Sequence, residues 1–384
     1  MAKLSINYPT MNNNYYMQQA INMAKLGLGN VGDNPTVGCI IVANKQIIGR
    51  GFTQKDGRHA EVMALLMAKK VAPNSIKNAT IYVTLEPCAH FGRTPPCAEA
   101  IVKAQIAKVH IAVIDPDPRV SGQGIHILTE AGISVETGLL EQQAKQVLLG
   151  FLSRIQTQKP YVMLKLAMSQ DGYIVRADGT SKWITSPQSR KYTHLLRAQH
   201  DAILIGIETA LADDPTLNCR LIGLENRSPT RVILDSKLRI KVNSNLVDTA
   251  NDIPTIIFTC VQADSLHEVK IKALEANNIQ IQYVKKQDEH IDLNQVLITL
   301  AKLGINRLMV EGGAKVASSF VKLNLIDELN LFFAPEIIGK NGKPAIEMGI
   351  EKLLNNKCFV KVTEKRVDVD RFEQWQRPSG NNII

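Results

Sequence analysis

Apolar residues in this 384-residue chain fall into short runs of strand length, separated by stretches with helical spacing, and the two alternate from end to end. After a polar, Asn-rich arm at 1–14, helical spacing begins near Tyr15 and continues through QQAINMAKLG. VGCIIV at 37–42 and QIIGRGF at 46–52, separated by Ala-Asn-Lys, predict a hairpin. HAEVMALLMAKKVA, from His59 to Ala72, joins helical spacing to good helix formers. ATIYVTLEP at 79–87 predicts a buried strand, Pro95-Pro96 can open a helix CAEAIVKAQI, and KVHIAVI predicts another strand. With the signals in GIHILTEAG and SVETGLL, these segments predict a helix-covered, largely parallel sheet.

The polar, helix-compatible stretch EQQAKQVLLGFLSRIQTQKP leads to Pro160 and suggests a linker at 151–160. A second alternating series then starts with YVMLKLAMSQDGYI. It runs through a helix SRKYTHLLRAQ, a strand AILIGI, a loop LADDPTLNCR and the strands RVILDS, TIIFT and IQIQYV. HIDLNQVLITLAKLGINRLMVEGGAKVASSFVKLNL predicts helix, strand, tight glycine turn and helix, and the last stretch alternates enough for sheet strands. The expected plan is a flexible arm at 1–14, one α/β domain at 15–150, the linker at 151–160, and a second α/β domain at 161–384.

Composition sets limits on the function. Hydrophobic residues at 45% and charged residues at 21% are ordinary for a globular protein, and 5% aromatic residues argue against stacking platforms for single-stranded nucleic acid. No run approaches the roughly eighteen apolar residues of a membrane span, and the opening segment has no apolar core like that of a secretory signal. A cytoplasmic protein without a membrane partner is the expectation. Cysteines at 39, 88, 97, 219, 260 and 358 are too sparse for a disulfide framework and are available as thiols for a metal. The net charge of +9 is spread over both halves. It suits an enzyme for phosphorylated metabolites, and a nucleic-acid partner is not expected.

The chemistry is concentrated in His59-Ala60-Glu61 and in Glu86-Pro87-Cys88 followed by Pro96-Cys97. One imidazole and two thiolates give zinc three ligands and leave a fourth tetrahedral position for water, the arrangement of a catalytic site. Zinc lowers the pKa of that water, and Glu61 is suited to shuttle its proton to a ring nitrogen and a departing amine. Mid-helix, His59 and Glu61 would diverge; at a first turn both can approach one metal. The positive end of the second helix is expected to favour thiolate at Cys97. His90 is a rival ligand within CAHFGRTPPC, and Cys39, inside VGCIIV, is expected in the core. The general deaminase signature sets its two cysteines much closer together than Cys88 and Cys97.

In the second domain, the strand LMVEGG enters a glycine turn and a helix beginning near Ala314, whose free N–H groups can bind phosphate. No G-x-G-x-x-G follows an early strand, so the standard dinucleotide fingerprint is absent.

The segments NPTVGCIIV, HAE, TLEPCAHFGRTPPC, KLAMSQDG, SKWITSP, LRAQ, LADDPTLNCR, VILDS and VEGG together resemble the bacterial bifunctional riboflavin-biosynthesis deaminase/reductases over nearly the whole chain. The resemblance implies a cytidine-deaminase-like three-layer domain followed by a dihydrofolate-reductase-like α/β domain. It implies zinc on His59, Cys88 and Cys97, with Glu61 as proton shuttle. The implied reactions are hydrolytic removal of the 2-amino group of a phosphoribosylamino-pyrimidine, then NADPH-dependent reduction of its ribosyl group to ribityl.

By the same resemblance, Ala167, Trp183, Thr209, Asp213, Ser236 and the turn Gly313, Ala314, Lys315, Val316, Ala317, Ser318 and Ser319 surround NADPH. Ser181, Arg197, Leu217, Arg220 and Glu311 face the substrate, the arginines suiting a sugar phosphate through forked, charge-assisted contacts. Asn34 and His90 are further substrate-side positions, though Asn34 also fits a turn before Pro35. Lys165 and Asp171 bracket S-x-D-G and are expected to position or polarise the substrate, with capping of the turn into Gly172 as the other reading of Asp171. Gln170 stands where relatives often have Leu. A homodimer is implied as well. The competing class is a nucleic-acid editing protein that acts on a flipped base, and a milder alternative makes the second domain a metabolite sensor.

Overall fold

The computed structural model describes residues 12–91, 95–118, 120–175, 184–261, 267–287 and 290–378. It divides into two compact units, 1–158 and 159–384.

The first unit runs α1 (Asn13–Lys25), β1 (Gly38–Ala43), β2 (Gln46–Phe52), α2 (Ala60–Val71), β3 (Thr80–Leu85), α3 (Cys97–Lys103), β4 (Lys108–Val113), α4 (Gln123–Glu130), β5 (Ser134–Thr137) and α5 (Glu141–Thr157). Strand order is β2-β1-β3-β4-β5. The hairpin expected at 37–52 is present as the antiparallel β1-β2 pair, but the expectation of a largely parallel sheet is corrected: β1 also pairs antiparallel with β3, and only the β3-β4-β5 half is parallel. The tight hairpin, with Asn44 and Lys45 both at positive φ, reverses the chain at once and inserts β1 between β2 and β3. Helices α1 and α5 meet on one face, and α2, α3 and α4 make successive contacts on the other, which produces three layers. Close approach of α2 depends on Gly51 of β2, where a Cβ would lie 2.1 Å from the carbonyl oxygen of Ala60.

Two expectations about the ends of this unit change. The Asn-rich start is helical from Asn13 because Asn12 caps it, its Oδ1 accepting the Tyr15 N–H at 3.0 Å. No open linker occupies 151–160, since α5 continues to Thr157 with Ala144, Val147, Leu148 and Leu152 buried at helical spacing; it stops at Gln158, which has φ 57°.

The second unit contains β6 (Tyr161–Ser169), β7 (Tyr173–Val175), α6 (Pro187–Ala198), β8 (Ala202–Gly206), α7 (Ile207–Asp213), β9 (Thr230–Leu234), α8 (Asn245–Asp248) and β10 (Thr255–Thr259). After these come α9 (Glu268–Ala276), β11 (Ile279–Tyr283), β12 (Lys286–Gln287), β13 (His290–Ile291), α10 (Leu293–Lys302), β14 (Arg307–Val310) and α11 (Ala314–Lys322). The chain finishes with β15 (Glu328–Ala334), β16 (Lys343–Pro344), α12 (Ile350–Asn355), β17 (Val360–Val367) and β18 (Asp370–Gln376). Nine strands form one sheet in the order β11-β10-β9-β8-β14-β6-β15-β18-β17. It is parallel from β11 to β15 and antiparallel at the β15-β18-β17 edge. The segment expected as a loop from Leu211 is helical as far as Asp213, because Ile207 and Ala210 are buried on the start of that turn.

The parallel order brings the carboxyl ends of β9, β8, β14 and β6 side by side, ending in Leu234, Gly206, Val310 and Ser169. Ligands in open α/β sheets bind beyond such ends.

Candidate active sites

His59 is the N-cap of α2, with an extended backbone and no capping bond from its ring, so its side chain is free while its carbonyl starts the helix. Cys97 is the first residue of α3, placed there by Pro96. Cys88 lies just beyond β3. The His59 Nδ1 stands 3.2 Å from Cys97 Sγ and 3.5 Å from Cys88 Sγ, and one ligand atom from each of the three residues lies within 4.8 Å of the others. A tetrahedral zinc with bonds of about 2.0 to 2.3 Å has edges of roughly 3.5 Å, so both the donor set and its spacing fit that metal. Among the described residues this is the group of His, Cys, Asp and Glu with metal-ligand spacing, and His90, exposed on the following loop, is not part of it.

The electrostatics of the two sulfurs differ from expectation. The backbone N–H of Cys97 donates to Cys88 Sγ at 3.3 Å, so the helix start favours thiolate on Cys88. Hydrogen bonds from Cys97 and His59 hold the Cys88 thiol down to about 4 against its burial. The buried Cys97 thiol, bonded to Cys88 and facing its charge, is pushed up, as two adjacent thiolates require a shared cation. The bond to Cys88 also raises the His59 ring. Glu61, in the first turn of α2, is only 3% exposed; burial foremost, then the Cys88 charge, raises its carboxyl to about 7.

Asn34 donates from Nδ2 to the Val31 carbonyl at 3.1 Å, a local turn bond. Cys39 is fully buried in β1.

In the second unit, Glu311 follows the carboxyl end of β14. One carboxylate oxygen accepts Arg197 Nε at 3.1 Å and Nη2 at 2.9 Å, and the other accepts Lys165 Nζ at 3.1 Å. Burial opposes ionisation of Glu311, but the Arg197 and Lys165 charges outweigh it and hold the carboxyl at about 2. Asn218 extends the cluster: its carbonyl accepts Arg197 Nη1 at 3.1 Å, and its Oδ1 accepts Arg220 Nη1 at 2.9 Å. His194 lies 3.0 Å from the same carbonyl, and burial, then the two arginine charges, push its ring down to about 4. Leu217, beside Asn218, has φ 53° and a buried side chain. Lys165, Arg197, Glu311 and Arg220 are therefore gathered in one connected polar group.

The glycine turn is built as expected. Gly313 is the N-cap of α11, no side chain caps the helix, and the Gly313 N–H donates to Thr209 Oγ1 at 3.3 Å. Lys315 to Ser319 occupy the first turns of α11. Ala167, near the end of β6, and Ser236, just after β9, flank the same row of strand ends, whereas Asp213 is exposed at the end of α7. An uncapped helix start beside a row of parallel carboxyl ends suits the phosphates of a nicotinamide dinucleotide. Ser181 and Trp183 lie outside the described residues. Asp171 commits both oxygens to structure, accepting the Ser169 hydroxyl at 2.6 Å, the Ile338 N–H at 3.1 Å and the Gly339 N–H at 2.8 Å.

Three residues had no assigned role in the sequence: Asn218 and His194, which join the two arginines, and Glu86, whose buried carboxylate gathers four backbone N–H groups. Apart from the Asn218–Arg220 bond, the hydrogen-bond partners of these residues are distant in sequence, so only the Glu-Pro-Cys and Thr-Leu-Asn-Cys-Arg strings marked Glu86 and Asn218, and nothing local marked His194.

Residues 10–113 match the cytidine and deoxycytidylate deaminase zinc-binding region, and residues 160–369 match the RibD C-terminal domain. The riboflavin biosynthesis protein RibD of Bacillus amyloliquefaciens is 44% identical over 336 residues, 87% of this chain and 88% of that protein. The Aquifex aeolicus RibD is 39% identical, covering 92% and 94%. Among solved structures, Acinetobacter baumannii RibD superposes with a TM-score of 0.83 at 36% identity, over 95% of this chain and 99% of that one. A Thermotoga maritima protein, described as a diaminohydroxyphosphoribosylaminopyrimidine deaminase/5-amino-6-(5-phosphoribosylamino)uracil reductase, gives 0.82 at 33% identity over 95% and 98%.

Proposed function

The chain belongs to the RibD family of bifunctional riboflavin-biosynthesis proteins, with a deaminase and a reductase domain, and from that premise we propose its substrates and residue roles. The first unit converts 2,5-diamino-6-(5-phosphoribosylamino)pyrimidin-4(3H)-one to 5-amino-6-(5-phosphoribosylamino)uracil. The second reduces that product to 5-amino-6-(5-phosphoribitylamino)uracil. The name of the Thermotoga maritima protein supports this choice of substrates.

In the deaminase, zinc held by His59, Cys88 and Cys97 would supply the Lewis acidity that makes hydrolysis accessible near neutral pH. Glu61 accepts a proton from the attacking water on its carboxylate, passes it to the ring nitrogen, and assists departure of ammonia. One water enters and one ammonia leaves. The observation that carries this half is the His59, Cys88 and Cys97 cluster, one ligand atom from each within 4.8 Å of the others, with the buried Glu61 carboxyl two residues from His59. Asn34 and His90 are proposed on the substrate side.

In the reductase, NADPH would supply the hydride. The turn from Gly313 to Ser319, with Ala167, Trp183, Thr209, Asp213 and Ser236, is proposed to hold that cofactor. Ser181, Arg197, Leu217, Arg220 and Glu311 are proposed to hold the substrate, with Arg220 toward its phosphate. Glu311, kept ionised, fixes the Lys165 ammonium, which can orient and polarise the sugar carbon that accepts the hydride. Asp171 is proposed as a positioning residue for this segment. The reading extends to a homodimer working in the cytoplasm, where reduced thiols remain available to the metal.

Chelation tests the division of labour: removing zinc should abolish ammonia release and leave NADPH-dependent reduction of the deaminated pyrimidine intact. Loss of both activities on chelation would count against separate sites.

A further inference from the structure

Glu86 stands between the last residue of β3 and the Cys88 loop and is 4% exposed. One carboxylate oxygen accepts the N–H groups of Asp115 at 3.2 Å and Gly122 at 3.1 Å; the other accepts Gly124 at 3.0 Å and Ile125 at 3.3 Å. All four donors belong to the stretch that leaves β4 and enters α4. The Glu86 N–H donates to the Val113 carbonyl at 2.9 Å, which joins the two strand ends. Gly124 lies so close to this junction that a Cβ would stand 2.0 Å from the Pro87 carbonyl oxygen. The backbone at Asp115, Gly122, Gly124 and Ile125 is thus fastened to the two residues that precede a metal ligand.

That segment carries Asp115, half-buried at the carboxyl end of β4, within electrostatic reach of His90. It follows the carboxyl end of β4, and the neighbouring parallel strand β3 ends just before Cys88; ligands in α/β sheets bind beyond such ends. A carboxylate is the side chain that can serve four N–H donors at once, because both oxygens only accept.

We propose that Glu86 is a positioning residue of the deaminase, setting the backbone at Asp115 and at Gly122, Gly124 and Ile125 as a wall of the pyrimidine pocket beside the metal centre. The inference rests on the deaminase reading of that centre. A glutamine in this place keeps one acceptor oxygen and turns an NH₂ group toward two N–H donors, so part of the loop is released. His59 and Cys97 keep their own supports at the starts of α2 and α3, and Cys88 is held by the Cys97 N–H.

The test uses the full-length, zinc-loaded chain with Glu86→Gln and, separately, Gly124→Ala, which leaves the carboxylate intact but crowds the same junction. Four quantities are measured: zinc content, hydrogen exchange across residues 115–125, deaminase KM and kcat, and reductase turnover. The expected result is retained zinc, unchanged reductase turnover, faster exchange across 115–125, and a deaminase KM raised about tenfold to a hundredfold. The kcat is expected to stay within about threefold. Loss of zinc, a fall in kcat at constant KM, or unchanged exchange and KM would each overturn the proposal. If Glu86→Gln also loses reductase turnover, Gly124→Ala decides by the same criteria. A wild-type chain that releases no ammonia from the pyrimidine would refute the deaminase reading instead, and the exchange measurement would still judge the loop.

Discussion

The backbone N–H of Cys97 donates to the sulfur of Cys88 at 3.3 Å, so the chain between the two cysteines closes on itself and delivers both thiols to the Nδ1 of His59. Removing either thiol should therefore dismantle one site. Cys88→Ala and Cys97→Ala are expected to weaken zinc binding by more than about a hundredfold and abolish deamination while reduction persists. Metal analysis checks this, and a variant that retains full zinc would remove that thiol from the ligand set.

Glu61 acts on protons rather than on the metal. Glu61→Gln should keep zinc and lower the deaminase kcat by about a hundredfold to ten-thousandfold. Zinc content and turnover measured on the same preparation separate the two roles; loss of metal would make Glu61 a ligand.

The metal centre was legible in the sequence because His59 and Cys97 are each fixed by a local helix start, and the residue types themselves announce the chemistry. The Glu311 cluster was legible only through the family resemblance. Lys165, Arg197 and Glu311 come from three separate elements and meet because β14 inserts between β8 and β6, an order that no local pattern encodes. The antiparallel β1-β3 pairing escaped for the same reason, since apolar runs do not state strand direction, whereas the β1-β2 hairpin was marked by its short turn. Glu86 escaped because its partners are backbone N–H groups, which every non-proline residue possesses.

Arg220 is exposed and held by the side chain of Asn218 at 2.9 Å, a geometry that presents its guanidinium to an anion. Arg220→Ala should raise the reductase KM for the phosphorylated substrate by about tenfold to a hundredfold and leave deamination unchanged. Equal damage to both activities would contradict the assignment.

Acid should destabilise the second unit in a defined window. His200 is 2% exposed, and burial, then the Arg307 charge, push its ring down to about 3. The unfolded chain accepts a proton near the ordinary imidazole value of about 6.5, and the folded chain does not. The stability gained by keeping His200 neutral is thus present above that value and lost as pH falls toward 3. His194, lowered to about 4, acts in the same direction. Urea unfolding between pH 7 and 4 should show stability falling on acidification, and His200→Gln should flatten the slope by up to about 1.4 kcal/mol per pH unit. An identical slope would place the proton uptake elsewhere.

The most direct test of two consecutive reactions is the mass of the product formed by the zinc-loaded chain from the diaminopyrimidine ribotide, with and without NADPH. Replacing the amine by oxygen should add about one mass unit with ammonia released, and about two more should appear only when NADPH is present. A product that stops at the first increment in the presence of NADPH would contradict the reductase half of the account, and an unchanged pyrimidine would contradict both halves.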